Sequence, residues 1–412
     1  MAQTRNNWPM RPIGELLKQV RRPVAVEPDT VYREIGIRSH CKGIFHKPEV
    51  TGKQIGNKRV FWVEPGCLMF NIIFAWEQAV AMTSDAEAGM IASHRFPMYC
   101  SRNGKLLPEY VWRYFSTPRG KYDLNIASPG GAGRNKTLGQ EEFKRLKIPV
   151  PPIEYQNKAV DVLATTDRAI ATMEKLIAAK RTLKKGLAQQ LLTGQRRLPG
   201  FNKPWRTRRI DTISRISKGA GVTKEDIQPQ GLPAVRYGEL YTTYDVQITE
   251  VRSFVSSEAA QAAKPIRRGD LLLAGSGEDR IEIGKAAAYM GDGIAYAGGD
   301  VIIVSPTDAN SVFLAYLLDG DHARREFYRR AQGESIVHIY MRDVGCLELR
   351  LPPREEQDRI AAVLGAADRE IVLLEKKLAA LRELKKGLMQ KLLSGPVKVG
   401  TKVPYGQVAD IR

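Results

Sequence analysis

Gly130-Gly131-Ala132-Gly133-Arg134-Asn135-Lys136-Thr137 is the stretch of this sequence that comes nearest to a reaction centre. A glycine-rich loop ending in a lysine and a hydroxyl residue can cradle phosphate, because its amides converge on the anion while the lysine supplies charge. Here Asn135 stands where such a loop requires glycine. The loop also needs a hydrophobic strand before it and a long helix after it. Residues 123–127 make a poor strand, and 137–147 read as a short helix. Two Pro-Pro pairs invite comparison with the Asp/Asn/Ser-Pro-Pro-aromatic tetrad of adenine methylases, but Ile153 and Arg354 follow them where an aromatic ring is required. Cys41, Cys67, Cys100 and Cys346 form no CxxC or Cys/His pattern, so neither a zinc site nor a disulfide framework is expected. No Ser/His/Asp spacing is present either. The expectation is a chain with no catalytic residues, no metal ligands and no cofactor of its own.

The 412 residues carry a net charge of +19, which favours a polyanionic partner. Lys180, Arg181, Lys184, Lys185, Arg196, Arg197, Lys203, Arg206, Arg208 and Arg209 hold much of that charge. Nucleic acid fits better than a membrane, since no amphipathic Lys/Trp anchor, signal-peptide pattern or bilayer-spanning apolar run is found. A reducing, cytoplasmic setting is the corresponding expectation.

One long element occurs twice. Pro151-Pro152-Ile153-Glu154-Tyr155-Gln156 through Lys184-Lys185-Gly186-Leu187 to Leu191-Leu192-Thr193-Gly194 returns without a gap about 200 positions later, a period too long for a solenoid. The second copy begins Pro352-Pro353-Arg354-Glu355-Glu356-Gln357 and ends Leu392-Leu393-Ser394-Gly395. Its apolar track is Ile360, Leu364, Ala367, Ile371, Leu374, Leu378, Leu381, Leu388 and Leu392, alternating steps of four and three with only Lys385 interrupting. That is heptad spacing. In the first copy the track is Ala159, Leu163, Thr166, Ile170, Met173, Ile177, Lys180, Lys184, Leu187 and Leu191, with Leu176 and Leu183 widening the stripe. The prolines suit a first turn, and Gly194 and Gly395 suit C-terminal caps. Two such helices in one chain most simply pair with each other, antiparallel, rather than each lying in its own domain's core.

Between them lie two globular halves. In the first, short runs at 30–38, 59–63 and 68–74 read as strands of a mixed sheet with few helices. In the second, 234–244, 270–274, 286–289 and 301–304 read as strands and 312–331 as a helix. The halves correspond weakly. Gly66-Cys67-Leu68-Met69-Phe70 matches Gly269-Asp270-Leu271-Leu272-Leu273, Glu34-Ile35-Gly36-Ile37 matches Arg236-Tyr237-Gly238-Glu239, and Gly133 matches Gly333.

These features together resemble the specificity subunit of type I restriction-modification systems. The resemblance rests on Val235-Arg236-Tyr237-Gly238-Glu239-Leu240-Tyr241-Thr242, Gly269-Asp270-Leu271-Leu272-Leu273-Ala274-Gly275-Ser276-Gly277-Glu278, Ile283-Gly284-Lys285-Ala286-Ala287, Gly298-Gly299-Asp300-Val301, Gly333-Glu334-Ser335-Ile336-Val337-His338 and the duplicated helix. The first half departs from it, with Cys67 in place of the Gly-Asp-Leu aspartate.

The resemblance implies an α+β protein: two mixed α/β target-recognition domains separated by two long helices that pair as an antiparallel coiled coil. The boundaries are 1–148 for the first recognition domain, 149–195 for the first helix, 196–348 for the second domain, 349–396 for the second helix, and 397–412 for a tail. It further implies a non-catalytic subunit that reads a bipartite, asymmetric site on double-stranded DNA. The helices would act as ruler and dock for two DNA-methyltransferase subunits, with ATP-dependent restriction subunits joining them. S-adenosylmethionine, ATP and magnesium would belong to those partners.

For base and phosphate contacts, the polar tips on glycine-bounded loops are Arg38, His40, Lys42, Arg134, Asn135 and Lys136 in the first domain. In the second they are Arg236, Tyr237, Tyr241, Ser276, Arg280, Ser335 and His338. Gly275-Ser276-Gly277 and Gly298-Gly299 equally suit turns that need positive φ. The helix interface falls to Leu163, Ile170, Ile177, Leu187, Leu364, Ile371, Leu374, Leu378, Leu381 and Leu388. Two alternatives stand beside this reading: the same fold serving a two-subunit type II restriction system, and a coiled-coil scaffold with no DNA role. Replacing Leu374 and Leu378 by Asp would bury unpaired charge in the seam. Co-purification of partner subunits should then fail while the second domain stays folded by circular dichroism, and normal assembly would refute the docking role.

Overall fold

The computed structural model describes residues 8–130 and 136–394. The proposed Gly395 cap, the Gly133–Gly333 correspondence and the 397–412 tail lie outside the described residues at one or both positions. The chain divides into two compact units, Met1–Glu174 with Lys376–Arg412, and Lys175–Glu375, so each unit holds part of both long helices.

In the first unit one four-stranded sheet runs Leu17–Val20, Met98–Ser101, Leu68–Phe70, Val80–Met82, and another runs Ile44–Thr51, Val31–Ile37, Ile91–Ser93, Val60–Trp62. Leu68, Met69 and Phe70 are fully buried, as a continuous apolar run predicts for a central strand. Phe70 packs edge-on against Phe143 and Phe115, with ring centroids 4.8 and 5.8 Å apart. The pairing of Leu68 with Tyr99 makes Cys67 and Cys100 cross-strand neighbours, and their Sγ atoms are bonded at 2.09 Å. The expectation of no disulfide is thereby corrected. Strand register brings these residues together, and register is invisible in cysteine spacing. Two unanticipated helices, Pro108–Phe115 and Pro118–Ile126, each start with proline in the first turn, where a missing amide costs nothing. Residues 123–127, judged a poor strand, belong mostly to the second of them.

In the second unit the buried sheet is Ser214–Lys218, Val301–Pro306, Leu271–Ala274, Ala286–Tyr289, Gln247–Ile248. A second five-stranded sheet is Ile227–Gln228, Ser253–Val255, Leu232–Val235, Ala295–Ala297, Lys264–Ile266. The expected strand over 234–244 ends at Val235, and Tyr237–Thr242 is helical. A capping interaction decides this: the Arg236 amide donates to Glu239 Oε2 at 2.8 Å. The helix expected over 312–331 is two, Ser311–Leu318 and Asp321–Arg330. Asp319 fixes the break by accepting from Lys285 Nζ at 2.6 Å and Arg324 Nη2 at 2.8 Å. The paired glycines Gly66 and Gly269 both have positive φ immediately before the central strands, as the first correspondence suggests. The second correspondence fails. Gly36 lies within a strand beneath the Phe45 ring, which a Cβ would meet at 2.3 Å, whereas Gly238 is helical with open space around it.

The long helices are Ile153–Leu192 and Arg354–Ser394, 40 and 41 residues. Every position of both heptad tracks is buried or half-buried. Leu176 and Leu183, expected to widen the stripe, are instead 41% and 65% exposed. The helices pair within each unit, and their ends also enter the globular cores. In the first unit Ala159, Leu163, Leu392 and Leu393 pack with Phe115 and Phe143. In the second unit Leu191, Ile360 and Leu364 pack with Phe313 and Leu318.

Polar groups set the register. In the first unit Lys385, the one interruption of the second helix's apolar track, reaches Asp167 at 2.6 Å, and Arg382 reaches Glu174 at 2.7 Å. In the second unit Lys184 pairs with Asp368, Lys180 with Glu370 at 2.6 Å and Arg181 with Glu375 at 2.5 Å. Within each unit one residue number rises as its partner's falls, so the pairing is antiparallel. Each aspartate is also held from its globular domain: Asp167 by Arg113, and Asp368 by the Tyr316 hydroxyl at 2.5 Å. The Gln of each Pro-Pro motif is a second tie. Gln156 donates to Pro151 O and accepts from the Leu107 amide, at 2.8 and 2.9 Å. Gln357 donates to Pro352 O and accepts from the Asn310 amide, both at 2.9 Å.

Burial alone would raise the Asp167 carboxyl, but the bonds from Lys385 and Arg113 outweigh it and hold it below the usual aspartate range. A lowered folded-state pKa contributes stability that is complete above the unfolded value and is lost as pH falls through the folded one. Asp167→Asn should therefore lower stability at pH 7 by about 1–2 kcal/mol, discounted for partial exposure. The deficit should shrink toward pH 3 in thermal melts, and an equal deficit at both pH values would refute the ionic account.

Candidate nucleic-acid interface

In the first unit Arg38, His40 and Lys42 project from the turn joining strands Val31–Ile37 and Ile44–Thr51, and all three are exposed. The turn is built from left-handed residues, with φ of 60° at His40 and 53° at Cys41. Such conformations are strained for non-glycine residues and persist only where the surroundings impose them. Here the His40 amide donates to Glu77 O at 2.7 Å, the Cys41 amide to Gln78 O at 2.9 Å, and Ser39 Oγ to Glu77 Oε2 at 3.0 Å. Gln78 is itself left-handed, at φ 61°. The alternation that turns residues 38, 40 and 42 outward thus comes from an anchored backbone. The Arg38 guanidinium lies 4.8 Å from the Phe45 ring centre. Lys136 is tied to Asn125 Oδ1 at 2.8 Å and lies over Trp76. Arg134 and Asn135, with the rest of the glycine stretch from Gly131, lie outside the described residues.

In the second unit the ribbon pairing Ser276–Gly277 with Val337–His338 gathers several expected residues. The Tyr241 hydroxyl donates to Ser276 O at 3.1 Å, and Ser276 Oγ bonds His338 Nδ1 at 2.8 Å. Arg280 donates to Ala331 O and Gly333 O at 2.8 and 2.9 Å. Ser335 is exposed and His338 half-buried. Ser276 is only 2% exposed, so it supports His338 from beneath instead of offering a surface contact. Tyr237 is exposed one helical turn from Tyr241, while Arg236 is turned to Glu239 at 3.6 Å. Burial pushes the Tyr241 hydroxyl well up, so it remains a neutral donor.

The glycines around Ser276 do not serve positive φ. They serve space: a Cβ on Gly275 would meet Asp300 O at 2.9 Å, and one on Gly277 would meet the Tyr241 oxygen at 2.7 Å. Gln332, Ile336 and Tyr340 are exposed beside this ribbon and are not among the expected contact residues. An isoleucine between a glycine and a strand, in an otherwise polar loop, was the available signal.

Much of the basic charge on and near the helices is engaged internally. Besides Lys180, Arg181 and Lys184, Arg197 binds the fully buried Glu356 at 2.6 Å, and Arg209 binds Asp211 at 2.5 Å. Burial pushes the Cys41 thiol up, so it lacks the thiolate character a nucleophile needs. Among the described residues no group of three or more His, Cys, Asp and Glu could hold a metal ion, and no helix is long and apolar enough to cross a membrane.

Comparison with known proteins gives a consistent result. The model of the type I restriction modification DNA specificity domain matches residues 71–179 and 202–383. The type I restriction enzyme MjaVIII specificity subunit of Methanocaldococcus jannaschii is 24% identical over 62% of this chain and 63% of its own length. The putative MjaX specificity subunit of the same organism is 24% identical over 66% of this chain and 64% of its own length. The chain thus spans under two thirds of these curated relatives. The HsdS subunit of Thermoanaerobacter tengcongensis shares the fold at a TM-score of 0.53 and 21% identity, covering 95% of this chain and 97% of that one. The type I S subunit of M. genitalium does so at 0.58 and 14%, covering 96% and 99%.

Proposed function

We propose, from the premise that the chain belongs to the type I restriction modification DNA specificity domain family, that it is the DNA-recognition subunit of a type I restriction-modification complex. The observation that carries this reading is the pair of polar surfaces, one per unit, each on a two-sheet scaffold but built from different residues. Arg38, His40 and Lys42 stand exposed on a strained turn in one, and in the other Ser335 stands exposed beside a ribbon that the half-buried Tyr241, Arg280 and His338 brace. Two unlike surfaces suit two unlike half-sites, hence a bipartite and asymmetric target. Base identity is read by donors, acceptors and apolar groups in the major groove, with phosphate contacts fixing position.

The subunit is non-catalytic on this reading, and the chemistry belongs to partners: two methyltransferase subunits carrying S-adenosylmethionine, and ATP- and magnesium-dependent restriction subunits. Leu176 and Leu183, seven residues apart and exposed, give one helix an apolar edge outside the paired seam, and Val372, Leu373 and Leu384 are exposed on the other. Such edges suit partner helices. The complex works in the cytoplasm, where its DNA lies.

Methylation mapping of host DNA with and without this gene, its neighbours intact, tests the proposal. Loss of one gapped, asymmetric motif is expected, and an unchanged methylome would count against it. Duplex binding by the assembled complex should also weaken steeply with salt as counterions are released. A flat salt response would contradict the electrostatic part.

A further inference from the structure

The segment 332–336 is exposed at every residue, including Ile336 at 54%. It is also rigidly closed. Gln332 and His338 exchange both backbone hydrogen bonds, at 2.9 and 2.7 Å. Arg280 props the base through the carbonyls of Ala331 and Gly333, and Ser276 holds the His338 ring. Gly333, at φ 101°, closes the turn, and any Cβ there would lie 2.1 Å from Ile336 O. The result is a projecting finger with Glu334 and Ser335 at its tip and a stiff β-branched side chain, Ile336, exposed on its flank. It follows directly from the helix Asp321–Arg330, which carries Arg324, Arg325, Arg329 and Arg330.

Taking DNA recognition as given, we infer that this finger enters the major groove of the second half-site and reads an A·T pair, with Ile336 packed on the thymine methyl. Three observations select this occupant. On the helix before the finger Arg324 and Arg330 are held by Asp319 and Glu326, but Arg329, whose side chain is 71% exposed and makes only a surface pair with Glu326, is open to a flanking phosphate. Glu334 at the tip would be repelled by a phosphate, so the tip belongs on base edges, where exocyclic amino groups donate. In the major groove the thymine methyl is the apolar group a base edge offers, and the adjacent adenine presents the N6/N7 pair that a glutamine amide can grip, here Gln332.

The test uses the full-length chain assembled with its partners and duplexes carrying the mapped motif, read by fluorescence anisotropy. Each thymine of either half-site is replaced in turn by deoxyuridine, which lacks only the C5 methyl. At one thymine the wild-type complex should bind about fourfold more weakly, the worth of one buried methyl. Ile336→Ala, a change at an exposed position on the finger's flank, should bind the unmodified motif more weakly and be indifferent to uracil at that position. Tolerance of uracil throughout, a methyl effect that survives in Ile336→Ala, or half-sites without an A·T pair would overturn the inference while motif preference itself persists. Impaired complex assembly in Ile336→Ala would also overturn it, placing a protein partner on the finger. Absence of any motif preference in the wild type would instead remove the recognition reading and this inference with it.

Discussion

The polar interruption of each helical seam governs how the rest is built. A purely apolar heptad stripe is permissive about direction and register, because leucine packs acceptably against leucine in several alignments. A lysine among those leucines is costly unless a carboxylate meets it. Lys385 finds Asp167 in the first unit and Lys184 finds Asp368 in the second. These are the same two positions of the repeat used reciprocally, so one solution, antiparallel and in this register, satisfies both copies. Exposed charge pairs such as Arg181–Glu375 and Arg382–Glu174 reinforce the alignment, but contribute little stability on their own.

The same aspartates join helix to domain. Arg113 and Tyr316 sit at corresponding places in the short helices Pro108–Phe115 and Ser311–Leu318, and each binds the seam aspartate of its own unit. Their chemistry differs, guanidinium in one and phenol in the other, yet both donate to the carboxylate. Gln156 and Gln357 act likewise, each bonded back to a proline of its own motif and forward to an amide at the start of the short helix. The recurring Pro-Pro-x-x-x-Gln pattern therefore does more than start a helix: it ties the first turn of each long helix to the start of a short helix in its own unit.

What was legible in the sequence was what depends on local pattern. The heptad tracks specify a face, and they do so even through Thr166, Lys180 and Lys184, which no hydrophobicity count would favour. The fully apolar central strands could be read for the same reason. Features set by distant partners could not. The Cys67–Cys100 bridge follows from strand register, the break at Asp319 from a lysine 34 positions earlier, and the helical turn after Arg236 from a cap that competes with strand propensity. Among the proposed contact residues, polarity and loop context found Arg38, His40 and Lys42, which project. They equally suggested Ser276, which is buried, because a serine between glycines looks the same whether it faces solvent or a histidine.

The two surfaces also differ in how they are made rigid, and the difference explains how one scaffold can carry unlike surfaces. In the first unit, stiffness is backbone strain: left-handed His40 and Cys41 are held by the carbonyls of Glu77 and Gln78. In the second it is bracing from below, with Arg280 and the Ser276–His338 pair under a closed hairpin. Neither device involves the seam aspartates or the motif glutamines. Side chains at the tips can therefore change without disturbing the ties that hold domain to helix, since sites without shared partners contribute nearly independently. That separation lets surfaces differ on a fixed frame: the charge pairs that set register lie in the seam, and the exposed polar side chains lie on the loops.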